Sequence, residues 1–254
     1  MIITNIIELK ILQLIKKETL FIGQSLNLDS LEQSQFNELN NKYLNGYPLD
    51  YIIGEVLVNE VRLKTPQGVF IPRPCTEKLI TLAQELIESG KFETVLDVCA
   101  GTGFIGIALA KKYKNINFIS IENDDFAFQV LLENIKINNI NNIKAINSDA
   151  TSNENNYPNN SLLLCNPPYV PNIENDKSVR SEPEFAIYSG ENGLTFFNKF
   201  IKLFTNKFPN QFIFELDPRN IFEAKKHFEN NFYTEVIQDE DGFNRFLVGK
   251  RIIL

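Results

Sequence analysis

Apolar positions in the first part of the chain recur at helical spacing. They run three and four residues apart from Ile6 to Ile22, and "SLEQSQFNELNNKYL" continues as a second helix. Ser30 is the predicted N-cap of that helix, with Gln33 three residues later. Gly46 and Pro48 close this helical section. "EVLVNEVRLKTPQGVFIP" then alternates apolar and polar residues around "TPQG", which predicts a β-hairpin. The pattern predicts a small helical N-terminal domain and the start of a linking hairpin over residues 1–64, and a second domain over 65–254.

After Pro74 the rhythm changes. "TEKLITLAQELIES" predicts a helix with Thr76 as its cap, followed by a buried strand, "FETVLDV", and a helix, "TGFIGIALAKKY". The alternation continues through strand "INFISIE", helix "DFAFQVLLENIKINN", strands "IKAINSD" and "SLLLCN", and helix "GLTFFNKFIKLFTNK". Strand "QFIFELD" and helix "PRNIFEAKKHFEN" follow, and "FYTEVIQD" and "FNRFLVGK" face each other across "EDG". Strands alternating with helices predict an α/β fold with a mostly parallel sheet and an antiparallel C-terminal strand. The Asn-rich stretches "NNINNIK" and "SNENNYPNN" are expected to be solvated loops. In such sheets a ligand binds beyond the carboxyl ends of the strands.

Composition narrows the function classes. The chain carries 25 basic and 32 acidic residues, a net charge of −7 spread over its length. No basic block is present, so a direct grip on nucleic-acid phosphates is not expected. No apolar run reaches the length of a membrane helix, and the N-terminal stretch has Glu8 and Lys10 inside it, so the expected location is cytoplasmic. Cys75, Cys99 and Cys165 are too scattered for a disulfide framework or a metal cluster. Cys99 and Cys165 end strands expected to be neighbours, which puts two thiols side by side. The single His227 lies in a polar helical stretch and is expected on the surface, so no metal site is predicted.

Candidate chemistry concentrates at the strand ends. "VLDVCAGTGFIG" places Gly101 and Gly103 in the first strand-to-helix turn, where they let the backbone turn tightly and approach a ligand. With Gly106 the stretch matches a dinucleotide fingerprint, which alone is a weak signal. Glu122 ends the next strand, where a carboxylate accepts both hydroxyls of a ribose. Two cofactor classes share this geometry. A dinucleotide would rest its pyrophosphate on the helix N-terminus, whereas a sulfonium nucleoside calls for carboxylates and carbonyls. Asp97 suits the second, and Asp149 in "NSDAT" is placed to reach an adenine edge.

The stretch Asn166-Pro167-Pro168-Tyr169 decides between them. Two prolines cannot continue a strand and leave a stiff corner. The Asn166 side-chain carbonyl and the Pro167 backbone carbonyl can then accept both hydrogens of a planar NH2 group, with Tyr169 stacked on it. This stretch resembles the signature of methyltransferases acting on amide or exocyclic amino nitrogens. "PLDYIIGE", "VFIPRPCTEKLI", "VLDVCAGTGFIGIALA" and "SEPEFAIYSGENGL" together resemble the release factor glutamine methyltransferase family from about Leu20 to Lys250.

That resemblance implies a Rossmann-like class I methyltransferase domain behind a small helical domain and hairpin. It implies S-adenosyl-L-methionine as cofactor, S-adenosyl-L-homocysteine as product, and class I peptide chain release factors as the protein partner of a monomer. By the same resemblance, Asn166, Pro167, Pro168 and Tyr169 are catalytic. Asp97, Cys99, Ala100, Gly101, Thr102, Gly103, Glu122, Asp149, Ala150 and Asn166 would hold the cofactor, and Arg73, Pro74, Thr76 and Glu77 form a substrate-side motif. Cys75 stands where the family has an acid, and reads as a neutral helix-entry residue. Cys99 stands where the family often has glycine, and Val58 and Asn59 where it has an aromatic pair. Competing readings are methylation of a ribosomal-protein glutamine, of an exocyclic amino group in RNA or DNA, an NAD-dependent enzyme, and an inactive binding module.

Overall fold

The computed structural model describes residues 1–152, 157–158, 160–172, 181–202 and 209–252. The chain divides into two compact units, one of residues 1–56 and 65–67, the other of residues 57–64 and 68–254.

In the first unit, α1 (Ile6–Lys16) starts where the Asn5 side chain accepts the Ile7 and Glu8 N–H groups. It stops short of the predicted Ile22, because Lys17 turns left-handed (φ 56°) and leaves Phe21 and Ile22 exposed. Helix α2 (Ser30–Leu44) is capped by Asp29, not by the predicted Ser30. Asp29 accepts from Leu31 and Glu32, and Glu32 returns a bond to the Asp29 N–H, a closed capping box. A short α3 (Leu49–Ile53), not predicted, starts at Pro48 and ends at left-handed Gly54. Ile3, Ile11, Leu12, Leu20, Leu26 and Phe36 form this unit's core.

The hairpin is β1 (Glu55–Val58) and β2 (Val61–Lys64), and its turn is Asn59-Glu60, both with positive φ (48° and 58°). This corrects the expected turn at "TPQG". Two left-handed residues match the twist of paired strands, and Asn tolerates that conformation. Thr65 instead leaves β2 with its N–H on the Gly54 carbonyl.

The larger unit holds α4 (Thr76–Ser89), β3 (Thr94–Val98), α5 (Phe104–Lys112), β4 (Asn117–Glu122), α6 (Asp125–Ile137), β5 (Ile143–Asn147) and β6 (Ser161–Cys165). It continues with α7 (Thr195–Lys202), β7 (Gln211–Glu215), α8 (Ile221–Lys226), β8 (Phe232–Gln238) and β9 (Asn244–Arg251). Positions 203–207 of the predicted helix and most of "SNENNYPNN" lie outside the described residues. The seven strands run in the order β5-β4-β3-β6-β7-β9-β8, parallel from β5 to β7, with β9 antiparallel to both β7 and β8. This is the mostly parallel sheet with an antiparallel C-terminal strand that the alternation predicts. Every residue of β6 is buried, as both faces of a covered parallel sheet require. The chain builds outward from β3 to β5 and then returns to β6, so strand order reverses between β3 and β6 and opens a crevice there. Phe197, Phe200, Phe212, Phe214, Phe228 and Phe232 fill the core beside β7.

Three asparagines are structural, and two of them, Asn138 and Asn142, fall in the stretch expected to be a solvated loop. Asn142 donates to the carbonyls of Ala110, Tyr113 and Ile116, which tethers its loop to the end of α5. Asn134 of α6 and Asn138, which caps its end, pair their amides with the backbone of Lys64 and Arg62, extending β2 as a neighbouring strand would. Asn134 is fully buried and also donates to the Thr102 carbonyl, inside the turn after β3.

Candidate active site

The crevice opens into a cleft of ≈ 630 Å³, walled by the carboxyl ends of β3, β4 and β6, the turn after β5, and the segments around Phe70 and Phe185. That volume lies within the range of sites for small ligands. Cys99, Ala100, Gly101, Thr102, Glu122, Asp149, Ala150, Asn166, Pro167, Pro168, Tyr169, Arg73 and Thr76 all line it, so most of the predicted site residues converge. Gly103, Pro74, Glu77 and Asp97 do not.

The turn after β3 is held by carboxylates. Glu122 Oε2 accepts the Gly101 N–H at 2.7 Å, and Oε1 accepts those of Asn123 and Asp124 at 2.9 Å. Burial raises the Glu122 pKa, against the pull of these three donors. Asp97 was expected to face the ligand; it is instead fully buried beneath the turn, where Oδ2 accepts the Gly106 N–H at 2.9 Å. Burial pushes its carboxyl up to about 7. Gly106 is small because a Cβ there would stand 2.8 Å from Asp97 Oδ2 and 2.7 Å from Ser120 Oγ. Cys99 has φ 59°, a left-handed position that favours glycine. Its thiol hydrogen-bonds with that of the fully buried Cys165, which pairs with Val98 across the sheet, and that contact together with burial raises the Cys99 thiol well above its usual range. Opposite, Asp149 Oδ1 accepts from the Thr151 N–H and hydroxyl, and Lys199 lies 3.3 Å from Oδ2. Burial would raise Asp149, but Thr151 and Lys199 outweigh it and hold the carboxyl below its ordinary value.

At the tip of β6, Asn166 Nδ2 donates to Thr76 Oγ1 at 3.2 Å. Thr76 Oγ1 in turn donates to Glu215 Oε2 at 2.9 Å, so Thr76 is not the predicted helix cap. The Tyr169 hydroxyl donates to Glu215 Oε1 at 3.0 Å, which fixes the ring at the cleft wall. Burial raises the Tyr169 pKa well above its usual range, and the Glu215 charge adds to the rise. Cys75 is no bystander at the helix entry: its Sγ lies 3.7 Å from Glu215 Oε1, and burial pushes the thiol up to about 11.

The proline corner is braced from behind. The Val170 N–H donates to the Ile187 carbonyl and the Ser189 N–H to the Val170 carbonyl, and Gly193 packs so close to the Tyr169 carbonyl that a Cβ would stand 2.1 Å from it. This explains why "SEPEFAIYSGENGL" accompanies the corner. Arg73 pairs with the buried Glu182 and stacks 4.8 Å over Phe70, while the Ile71 N–H donates to Glu182 at 2.9 Å. Glu182 and Glu215 are the site residues the sequence reading missed. Glu215 had a signal, since it ends a central parallel strand.

His227 is exposed, and among the described residues no cluster of metal ligands forms and no helix is long and apolar enough to cross a membrane.

A crevice at the reversal of a parallel sheet, walled by acids and closed by Asn-Pro-Pro-Tyr, defines an α/β methyltransferase. Residues 60–182 match the methyltransferase small domain model. The chain belongs to the release factor glutamine methyltransferase family: over 201 residues it is 30% identical to the release factor glutamine methyltransferase of Clostridium botulinum, spanning 75% of this chain and 70% of that one. A Mycoplasma pneumoniae protein, the uncharacterized MG259 homolog, is also 30% identical over 190 residues, which are 74% of this chain and 41% of that protein. Among solved structures, the catalytic domain of hMettl16 in complex with an RNA hairpin superposes with a TM-score of 0.59 at 17% identity, covering 91% of this chain and 86% of that one. It shares the fold.

Proposed function

We propose that this chain transfers a methyl group from S-adenosyl-L-methionine to the side-chain amide nitrogen of the glutamine in the Gly-Gly-Gln motif of class I peptide chain release factors, leaving S-adenosyl-L-homocysteine. The observation that carries the reading is the orientation of Asn166. Its NH2 is committed to Thr76, so its carbonyl oxygen is the atom left for a donor in the cleft. Together with the Pro167 carbonyl, it offers two acceptors to a carboxamide nitrogen, and family membership favours glutamine as the amide.

The choice of cofactor rests on where the backbone donors go. A pyrophosphate needs free N–H groups at the turn and helix start. Here the Gly101 N–H is taken by the Glu122 carboxylate, which would repel a pyrophosphate, and the Gly106 N–H by the buried Asp97. The Glu122 carboxylate suits a cationic sulfonium nucleoside. When bound, that cofactor supplies an electrophilic methyl group. Glu122 then takes the ribose hydroxyls, Asp149 and Ala150 border the adenine, and Cys99, Ala100, Gly101 and Thr102 shape the floor. Gly103 and Asp97 support that floor from below. On this reading the larger unit carries the chemistry.

An amide nitrogen is a weak nucleophile because its lone pair is delocalised. Asn166 and Pro167 hold both N–H groups and so aim the nitrogen, which contributes through positioning. Their carbonyl oxygens also stabilise the positive charge that develops on nitrogen during transfer. Tyr169, anchored by its hydroxyl, offers its ring face to the amide plane.

The test is incubation with methyl-labelled cofactor and a purified release factor, beside a Gly-Gly-Ala version. Label is expected on the Gly-Gly-Gln protein alone. Asn166→Ala is expected to lower turnover by roughly 10²–10³-fold with cofactor affinity little changed. Equal labelling of the control, or label found only on RNA, would sink the assignment.

A further inference from the structure

Behind the Asn-Pro-Pro-Tyr corner lies a carboxylate that no step above uses. Glu215 is fully buried at the end of β7, and it receives the Thr76 hydroxyl at 2.9 Å, the Tyr169 hydroxyl at 3.0 Å and the Cys75 thiol at 3.7 Å. Arg245 faces it from β9, held through its own Nε by Asp239 at 2.7 Å. Burial opposes ionisation of Glu215, while Thr76, Tyr169 and Arg245 favour it. Three donors aimed at one carboxyl fit its ionised form, which only accepts.

The protons then decide which end of the Asn166 amide faces the cleft. A hydroxyl has one hydrogen. Because Thr76 spends its hydrogen on Glu215, its oxygen can only accept from Asn166. Asn166 must therefore turn its NH2 to Thr76, and its carbonyl faces away. Were Glu215 unable to accept, Thr76 could give its hydrogen to Asn166 Oδ1, and the amide would present two donors where a substrate NH2 needs an acceptor.

We infer that Glu215 is a positioning residue, which sets the amide orientation of Asn166 through Thr76 and anchors Tyr169, so that the corner presents acceptors only. The inference rests on the proposed amide methylation for its effect on turnover, and on geometry alone for the orientation.

The experiment compares Glu215→Gln, Thr76→Val and Thr76→Ser with the parent. It reads kcat and KM for release factor methylation, cofactor affinity by calorimetry, and the Asn166 side-chain amide resonances by NMR, identified by their loss in Asn166→Ala. Glu215→Gln and Thr76→Val are expected to lower kcat on the order of 10²-fold at nearly constant cofactor affinity, and to shift the Asn166 amide resonances. Thr76→Ser, which restores the hydroxyl, is expected to recover most of the turnover lost in Thr76→Val and to keep the parental resonances. Unchanged resonances in Glu215→Gln would overturn the inference, even with lower turnover. If Glu215→Gln does not fold, equal behaviour of Thr76→Val and Thr76→Ser overturns it just as well. A parent that methylates no release factor would refute the substrate assignment, while the resonances would still decide the role of Glu215.

Discussion

The glycines of the turn after β3 answer to different constraints although they sit two residues apart. Gly101 has φ 54° and no heavy atom within 4 Å of where a Cβ would stand, and it lines the cleft. Gly103 has φ 86°, and a Cβ there would meet Leu131 at 2.5 Å and Ile107 at 2.8 Å. Both substitutions by Ala incur the cost of the left-handed region, about 1–2 kcal/mol. Gly101→Ala is expected to cost little beyond that in a urea melt and to weaken cofactor binding, because its methyl group stands in the cleft. Gly103→Ala adds crowding against two core side chains, about 1–3 kcal/mol more, and is expected to lower the melt midpoint further. Similar midpoints for the two variants would contradict this division. The pattern G-x-G-x-x-G made both glycines legible, but not which one answers to the ligand and which to the core.

Between elements, the clip formed by α6 on β2 has a large expected effect. Asn134 exchanges bonds with the Lys64 backbone at 2.7 and 3.2 Å and donates to Thr102 at 2.9 Å. Asn134→Ala strands these backbone groups and is expected to destabilise the protein by roughly 2–4 kcal/mol. Hydrogen exchange at the Lys64 N–H should accelerate in the same variant; unchanged protection would mean the clip is not what holds β2. Elements of this kind mark where sequence reading ends. The strand–helix alternation was readable because apolar runs report burial locally, and the proline corner because proline restricts its own neighbours. Asn134 is bonded to a residue 70 positions away, Glu182 to one 111 away and Glu215 to one 139 away. Only tertiary structure brings such pairs together, and no periodicity announces them. "TPQG" does turn, at Gln67-Gly68, but the hairpin closes at Asn59-Glu60, where strand pairing rewarded two left-handed residues.

For the whole molecule, the buried acids set the pH dependence of stability. The Asp97 pKa rises from an ordinary 3.8 to about 7. Between those values the folded state keeps a proton that the unfolded chain releases, so this group's contribution is fully present below about pH 4. It is lost as pH rises through 7. Asp97→Asn carries no such proton, and its amide oxygen can still accept from Gly106. Relative to Asp97→Asn, the parent is expected to gain stability as pH falls from 8 to 5, by up to about 1.4 kcal/mol per pH unit. Denaturant melts of both proteins across that range give the difference directly, and parallel curves would show that Asp97 titrates normally.

The insertion of β9 between β7 and β8 has a consequence in time. As a chain leaves the ribosome, β3 and β4, whose ends wall one side of the cleft, emerge early and pair as close neighbours. β6 with Asn166 comes later and must find β3 across all of β4, α6 and β5. β7, which bears Glu215, then waits with one bare edge until residues 244–251 arrive to cover it. The nascent molecule thus completes the β3–β4 wall of the cleft well before it can enclose Glu215.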